Sequence, residues 1–265
     1  MDFAFYLNPI RATIEAGYKI LEIYNSSDYE LSYKKDSSPL TSADLEANNI
    51  INNCLEKTEF PILSEENKQI DFSERKNWKT FWLVDPLDGT KEFVNKTGEF
   101  TVNIALISEN SPIFGVIYAP VIDVLYFGIE GIGSFSLANP VLETLDTSVL
   151  QIAKKLNATK NNSLNKLRVV ASRSHMSKET IEFVESLKSE DTEVEFVSKG
   201  SSLKLCLVAE ASADIYPRLG PTMEWDVGAG HAILKFAGNS LIDYDNRKEL
   251  TYNKENLLNS WFIAK

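Results

Sequence analysis

An apolar run that stops at two closely spaced acidic residues, FWLVDPLDGTKEF (residues 81–93), constrains this chain more than any other segment. The run FWLV has the length and composition of a buried strand. Asp85 and Asp88 follow it at once, and Pro86 and Gly89 are residues that favour turns. The segment therefore predicts a buried strand whose end projects two carboxylates. It leaves open whether these carboxylates only make a turn or form part of a site.

Acidic residues lie at the ends of several predicted apolar elements. Strand ends converge on one edge of a sheet, where layered α/β proteins carry their sites. Carboxylates brought together repel one another unless a cation lies between them, and oxygen ligands without His or Cys indicate Mg²⁺ or Mn²⁺ rather than zinc. The alternative is a set of solvated strand-end and helix-start acids. The positions are Glu65 after PIL, Asp85 and Asp88 after FWLV, and Asp226 in the first turn of EWDVGAGHAIL.

The order of elements predicts an α+β first half and an α/β second half. Helices are expected over residues 9–25, with Pro9 near the start, and over about 41–57. Short β-rich segments with turn-like links follow, which favours a mixed, largely antiparallel N-terminal sheet. The polar segment 154–166 is the predicted crossing between two subdomains, 1–158 and 159–265. Strands and helices alternate beyond it, which predicts a smaller α/β C-terminal half.

Charge and composition exclude several classes of partner. The 265 residues carry a formal net charge of −11, so the chain lacks the basic excess that binding to a nucleic acid polymer requires. No apolar stretch approaches the roughly 20 residues that span a bilayer, and the first residues lack the regions of a signal peptide. Cys54 and Cys206 share no metal-like spacing and are expected to be free thiols rather than a disulfide. We therefore expect no transmembrane segment and a cytoplasmic location.

Three ordered motifs resemble the signatures of the inositol monophosphatase superfamily of Mg²⁺-dependent, lithium-sensitive phosphatases. They are SEE at 64–66, VDPLDGTKEF at 84–93 and WDVGAGHAIL at 225–234. The resemblance covers nearly the whole chain and implies the layered α-β sandwich of the sugar phosphatases. Within the superfamily, DPLDGTKEF followed by FTVNIAL (100–106) resembles the 3′(2′),5′-bisphosphate nucleotidases, whereas inositol monophosphatases usually carry DPIDGTTNF.

The resemblance implies metal ligation at five positions. Glu65, the first glutamate of the E-E pair, is implied as a metal ligand. Asp85 is implied to bridge two ions, with the backbone carbonyl of Leu87 on the same ion. Asp88 and Asp226 are implied to complete the other ion. The family pattern thus implies two or three Mg²⁺ ions, for which Mn²⁺ can substitute.

The resemblance also implies that Thr90 pairs with an upstream helix aspartate to activate a water molecule. The segment PLTSADLEAN places that aspartate at Asp44, which could also be a helix-start acid favoured by the helix dipole. Two bound cations can acidify the water, neutralise the phosphoryl oxygens and stabilise the leaving alkoxide. Neither histidine belongs to a recognisable nucleophile arrangement, so direct attack by water is expected rather than a covalent phosphoenzyme.

Three later segments are implied to face the nucleotide: ASRSH (171–175), GSSLK (200–204) and YPR (216–218). A substrate with two phosphates needs cationic donors at the phosphate that is not hydrolysed, and Lys and Arg meet that need. Exposed lysines and surface ion pairs are the alternative. The implied substrate contacts are Glu65, Leu87, Asp88, Gly89, Thr90, His175, Ser201, Lys204, Arg218 and Asp226.

The function that the resemblance implies is hydrolysis of adenosine 3′,5′-bisphosphate to AMP and phosphate, a reaction linked to sulfate assimilation. Its partner would be this small nucleotide, and the protein would be a monomer or a homodimer. One alternative is a related phosphatase acting on inositol monophosphate or fructose 1,6-bisphosphate. Another is a non-catalytic module that senses nucleotides or metals, although no metal carboxylate or catalytic threonine of the family pattern is missing.

Overall fold

A seven-stranded sheet with helices on both faces is the centre of the fold, which we describe from a computed structural model. The structure describes residues 2–26, 31–33, 39–158, 166–171, 177–189 and 192–265. Over these residues the helices are α1 (Phe3–Asn25), α2 (Ser42–Leu55), α3 (Phe72–Arg75), α4 (Thr90–Val94), α5 (Val149–Ile152), α6 (Lys178–Leu187), α7 (Leu203–Ala209) and α8 (Glu224–Ala237). The strands are β1 (Leu31–Tyr33), β2 (Pro39–Thr41), β3 (Ile62–Ser64), β4 (Thr80–Asp88), β5 (Thr101–Ser108), β6 (Ser111–Ala119), β7 (Val124–Ile129), β8 (Gly133–Ala138), β9 (Lys154–Leu156), β10 (Lys166–Val170), β11 (Glu193–Val197), β12 (Tyr216–Arg218), β13 (Leu241–Asp243) and β14 (Phe262–Ala264).

The large sheet runs in chain order from β3 to β9. Strands β3 and β4 are parallel, and every later neighbour is antiparallel. The predicted mixed, largely antiparallel sheet is therefore confirmed. Side chains of β4 alternate between its two faces: Phe81 and Leu83 pack in the core that contains α8, while Trp82 and Val84 pack in the core that contains α1 and α2. Both faces of the sheet are buried, which explains why the strands appear as nearly continuous apolar runs.

Helix α8 lies unusually close to the sheet because glycines face it. A Cβ atom built on Gly115 of β6 would lie 2.4 Å from the backbone oxygen of Ala229 in α8. No real side chain fits that distance, so glycine at this position permits the helix to rest directly on the strand. The contact fixes the depth at which the first turn of α8 reaches the edge of the sheet.

The second half of the chain forms smaller sheets beside the large one. Strands β10 and β11 are parallel, and β12, β14 and β13 form an antiparallel sheet in that order. A parallel bridge between Val169 and Ile215 links the two, and α6 packs Val184 against the same core. The alternation of strands and helices was predicted; the antiparallel three-stranded sheet was not. The proposed division into subdomains 1–158 and 159–265 stays a prediction.

Two boundaries differ from the sequence-based expectation. Helix α1 begins at Phe3, so Pro9 lies inside it rather than near its start. Proline at this position leaves the carbonyl of Phe5 without its helical partner, but the earlier start buries Phe3 and Tyr6, which are 6% and 3% exposed. Within the predicted crossing 154–166, residues 154–156 form β9, the last strand of the large sheet, and residues 159–165 lie outside the described residues.

The cysteine prediction is confirmed, since Cys54 and Cys206 are both free thiols. Among the described residues, no helix combines the length and the apolar character needed to cross a membrane.

Candidate active site

Three carboxylates converge at one edge of the large sheet. Glu65 follows β3, Asp85 lies near the end of β4, and Asp226 lies in the first turn of α8. Oxygen atoms of these three side chains all lie within 4.8 Å of one another. The three residues come from separate parts of the chain. The structure brings them together at one sheet edge, as predicted from the sequence.

The electrostatics of the cluster are unfavourable without a counter-charge. Burial raises the pKa of Asp85 well above its ordinary value, and repulsion from Glu65 and Asp88 raises it further. Burial and the charge of Asp88 likewise raise the pKa of Asp226. Asp85 is 1% exposed, so water cannot compensate its charge. The cluster therefore requires either protons or cations.

The carboxylate set fits a hard divalent cation. It offers oxygen atoms alone, and neither histidine nor cysteine belongs to it among the described residues. A bound cation would remove the repulsion that raises these pKa values. The backbone carbonyl of Leu87 belongs to the same turn, where it accepts a hydrogen bond from the Thr90 hydroxyl at 3.3 Å.

Thr90 and Asp44 form the predicted hydrogen-bonded pair. The Thr90 hydroxyl donates to Asp44 Oδ1 at 3.2 Å. The other carboxylate oxygen of Asp44 accepts the backbone N–H of Thr41 at 2.7 Å and the Thr41 hydroxyl at 2.6 Å. Asp44 is 1% exposed and lies in the third position of α2. These bonds hold the carboxylate in one orientation toward Thr90.

Asp88 is held by the loop that precedes α7. Its Oδ2 accepts hydrogen bonds from the Ser201 hydroxyl at 2.7 Å and from the Ser202 backbone N–H at 2.5 Å. This carboxylate therefore links the end of β4 to the second half of the chain. Its charge contributes to the raised pKa of Asp85 and of Asp226, although its predicted metal ligation stays a prediction.

Gly89 forms the sharp turn between β4 and α4. Its φ angle is 95°, a left-handed conformation that side chains other than glycine rarely adopt. A Cβ atom there would also lie 3.1 Å from the Glu99 backbone oxygen. The turn brings the Thr90 hydroxyl back toward the Leu87 carbonyl and Asp44, which is why glycine precedes the threonine.

Two cations predicted to read the nucleotide lie near the carboxylates. Burial lowers the pKa of the Lys204 amine, the charge of Asp88 raises it, and the charge of Arg218 lowers it. Arg218 donates to the Pro221 carbonyl at 2.8 Å, and its buried Nε atom has no hydrogen-bond partner in the described part of the chain. The structure thus brings Lys204, Arg218 and Asp88 into one electrostatic group.

Of the two histidines, the structure describes only His231. His175, with the serines of ASRSH, lies outside the described residues. His231 is 1% exposed in α8, where its ring contacts the Tyr252 hydroxyl at 2.9 Å and the Glu249 carboxylate at 3.2 Å. His231 is therefore a residue of the core.

Several polar residues of the site were not assigned from sequence. The Thr101 hydroxyl lies 2.6 Å from the Ser201 hydroxyl and 2.8 Å from that of Ser202. Asn103 accepts from the Ser202 hydroxyl at 2.9 Å. Glu92 contributes to the charge around Lys204. Polar residues at alternate positions in an otherwise apolar strand, as in FTVNIAL, were the available signal for Thr101 and Asn103.

The chain belongs to the inositol monophosphatase family, whose pattern it matches over residues 7–261. This family is metal-dependent, in agreement with the acidic cluster. The predicted family and fold class are thereby confirmed.

Comparison with individual proteins gives a more specific result than the family match. The chain is 40% identical over 254 residues to the 3′(2′),5′-bisphosphate nucleotidase CysQ of Salmonella typhimurium, covering 93% of this chain and 94% of that protein. It is 41% identical to the protein of the same name from Buchnera aphidicola, covering 94% and 89%. It also resembles the crystal structure of CysQ from Bacteroides thetaiotaomicron, with a TM-score of 0.88 and 43% identity, covering 99% of this chain and 97% of that one.

Proposed function

We propose that this chain is a Mg²⁺-dependent 3′(2′),5′-bisphosphate nucleotidase that converts adenosine 3′,5′-bisphosphate to AMP and phosphate. Relatives that carry this activity in their names align with it at about 40% identity over nearly its whole length. The observation that carries the proposal is the arrangement of a three-carboxylate cluster beside the Thr90–Asp44 pair, with Lys204 close enough to both Asp88 and Arg218 for their charges to shift its pKa. A link to sulfate assimilation follows from the proposed substrate.

The residues that would hold the cations are Glu65, Asp85 and Asp226, with Asp88 and the Leu87 carbonyl as further proposed ligands. Bound divalent cations supply an acidified water and neutralise charge on the phosphoryl group. We propose two or three Mg²⁺ ions, with Mn²⁺ as a substitute. We further propose a cytoplasmic enzyme, monomeric or homodimeric.

Thr90 and Asp44 provide the path for the proton of the attacking water. Thr90 Oγ1 donates its own hydrogen to Asp44 Oδ1, so its lone pairs are available to accept a hydrogen from water. Thr41 fixes the opposite oxygen of Asp44 and prevents the carboxylate from rotating. As the water oxygen bonds to phosphorus, its proton moves through Thr90 to Asp44. The bond between phosphorus and the 3′-oxygen breaks, and the 3′-oxygen leaves with the electron pair of that bond and takes up a proton from solvent water to become the 3′-hydroxyl of AMP.

Lys204 and Arg218 are the proposed contacts for the phosphate that is not hydrolysed. The second phosphate carries about two negative charges, and the half-buried side chains of Lys204 and Arg218 can donate charge-assisted hydrogen bonds to it. The burial that lowers the pKa of the Lys204 amine also strengthens the attraction between the charged amine and an anion. Ser201, in the same loop, and Gly89 and Thr90, at the start of α4, are further proposed contacts, with His175 in the segment outside the described residues.

The direct test measures phosphate release from three esters under identical Mg²⁺ concentration: adenosine 3′,5′-bisphosphate, inositol 1-phosphate and fructose 1,6-bisphosphate. We expect the nucleotide to have the highest kcat/KM. Turnover mainly of inositol phosphate would contradict the proposed substrate while leaving the metal-dependent phosphatase intact. No turnover of any ester, with cations bound, would favour a sensing module.

A second measurement tests how the second phosphate is read. Lys204→Gln should raise KM for adenosine 3′,5′-bisphosphate more than for adenosine 3′-monophosphate, because only the former carries the 5′-phosphate. Lys235→Gln is the matched control, since Lys235 pairs with Ser111 and Glu249 away from the cluster. Equal effects of Lys204→Gln on both nucleotides would remove Lys204 from the proposed contacts.

A further inference from the structure

The strand FTVNIAL contains a buried amide that the proposed reaction does not use. Asn103 lies in β5, is 1% exposed, and its Oδ1 accepts a hydrogen bond from the Ser202 hydroxyl at 2.9 Å. Its Nδ2 is also buried, and it has no hydrogen-bond partner among the described residues. A buried donor left unpaired is costly, and such groups in native proteins usually have a reason. The amide nitrogen of Asn103 therefore calls for an acceptor close by.

The backbone register places an acceptor directly opposite. Asp85 of β4 is the antiparallel partner of Asn103 in β5. Side chains at directly opposed positions point to the same face, with Cβ atoms about 4.5–5.5 Å apart. The alternation of the strands agrees, because Leu83 and Ala105, two positions away on each strand, both pack in the core that contains α8. Asn103 and Asp85 thus share one face, which is also the face of Asp226.

We propose that Asn103 is a positioning residue for the metal site: its Oδ1 is fixed by Ser202, and its Nδ2, which has no partner among the described residues, becomes a donor to the facing Asp85 carboxylate and orients it when a cation is bound. The inference rests on the proposed function only in taking Asp85 as a cation ligand. Asp85 already accepts the Leu87 backbone N–H on Oδ1 at 3.1 Å. A second donor from the facing strand would fix the plane of the carboxylate and leave its remaining lone pairs toward the cluster.

Ser202 gives this residue its orientation. The Ser202 hydroxyl donates to Asn103 Oδ1, so the amide nitrogen is turned to the opposite side. The backbone N–H of Ser202 donates to Asp88 at the same time. One loop residue therefore contacts both Asp88 and the side chain that faces Asp85.

The test compares Asn103→Ala with Ser202→Ala by the binding of Mn²⁺ alone, without nucleotide, by titration calorimetry. Asn103→Ala removes the proposed donor to Asp85, whereas Ser202→Ala removes the hydroxyl that contacts Asn103 Oδ1 and Thr101 but keeps the backbone N–H that holds Asp88. We expect Asn103→Ala to weaken Mn²⁺ binding about 10–100-fold, the usual effect of losing a group that orients a metal ligand. Ser202→Ala should weaken it much less. Asn103→Leu, of similar size to asparagine, should repeat the loss and serves if the alanine variant does not fold.

Stability separates positioning from a merely structural role. The unfolding midpoint of each variant is measured in chelator, where no cation is bound. Unchanged Mn²⁺ affinity in Asn103→Ala and Asn103→Leu would overturn the proposal, and so would equal losses in the asparagine and Ser202→Ala variants. Because Mn²⁺ binding needs no nucleotide, a wrong substrate assignment would leave this result unaffected. Failure of the wild type to bind Mn²⁺ would instead overturn the metal site itself.

Discussion

Helices α2 and α8 both carry an aspartate in the third helical position whose carboxylate accepts the backbone N–H of the residue before the helix. In α2 the Thr41 N–H donates to Asp44 at 2.7 Å, and in α8 the Met223 N–H donates to Asp226 at 2.9 Å. The neighbours differ. Asp44 is also bonded by the hydroxyls of Thr41 and Thr90, while Asp226 lies among the other carboxylates.

The comparison shows one local motif in two different electrostatic surroundings. In both helices the cap bond fixes a carboxylate at the start of the helix, where the dipole favours negative charge. In the proposed function, the hydroxyl donors around Asp44 would prepare it to receive a proton from Thr90. The carboxylates around Asp226 would prepare it to share a cation, since burial and repulsion raise its pKa. The tertiary neighbours, rather than the helix, decide the role.

The largest effect is expected from Asp226→Asn. The amide oxygen can still accept the Met223 N–H, so α8 should begin as before, but one cluster charge is lost. We expect kcat/KM to fall by more than the roughly 10²–10⁴-fold that a lost general base costs, because cation binding itself is impaired. Phosphate release and Mn²⁺ titration measure both parts. Normal Mn²⁺ affinity in this variant would show that Asp226 is not a ligand.

A smaller effect is expected from Asp44→Asn, which also keeps an acceptor for the Thr41 N–H. The amide cannot take up a proton, so kcat should fall about 10²–10⁴-fold while Mn²⁺ binding stays close to that of the wild type. Thr90→Val removes the hydroxyl that would link water to Asp44, so its loss of kcat should resemble that of Asp44→Asn. If Asp44→Asn lost Mn²⁺ binding as Asp226→Asn does, the two helix starts would not differ in role.

The smallest effect concerns stability and pH in chelator. The pKa of Asp226 is raised to about 8, so the folded state holds a proton that the unfolded state, with an ordinary pKa of about 3.9, releases. Stability from this group is present at low pH and is lost as pH rises from about 4 to about 8. We expect the unfolding midpoint of Asp226→Asn to exceed that of the wild type by a few °C at pH 8 and by almost nothing at pH 4.

The quantity to follow is the difference in unfolding midpoint between the wild type and Asp226→Asn. This difference is needed because His231 changes stability with pH in the opposite direction to Asp226. Burial lowers the pKa of His231, so its contribution to stability is present above an ordinary pKa of about 6.5 and is lost at lower pH. Both proteins contain this histidine, and its contribution cancels. A difference in midpoint that did not change with pH would contradict the raised pKa of Asp226. Adding Mg²⁺ should raise the unfolding midpoint of the wild type at pH 8 and so remove its difference from Asp226→Asn.

The sequence predicted the carboxylates better than their surroundings. Glu65, Asp85 and Asp226 could be grouped because each ends or begins an apolar element, and such ends meet at one sheet edge. Family motifs added the pairing of Asp44 with Thr90, which spacing alone could not give. The hydrogen bonds from Ser201 and Ser202 to Asp88 could not be predicted, because they join residues more than a hundred positions apart through loop geometry.

Element boundaries failed where packing outweighed local preference. Proline is a strong signal for a helix start, yet α1 continues through Pro9 because aromatic residues before it are buried against the sheet. Strand β9 is short and lies in a polar segment, so no periodic pattern marks it. Asn103 was visible in FTVNIAL, but its importance depends on standing opposite Asp85, a register that one strand alone does not reveal.

The close approach of α8 to Gly115 bears on how natural variation in this protein is interpreted. A methyl group at position 115 would press on Ala229, one helical turn from Asp226, and the rigid helix would carry the carboxylate with it. A natural variant that differs only at Gly115 would then resemble a variant with a damaged active site, although the substitution lies in the middle of β6. Distance along the chain is therefore a poor guide to which variants are silent here.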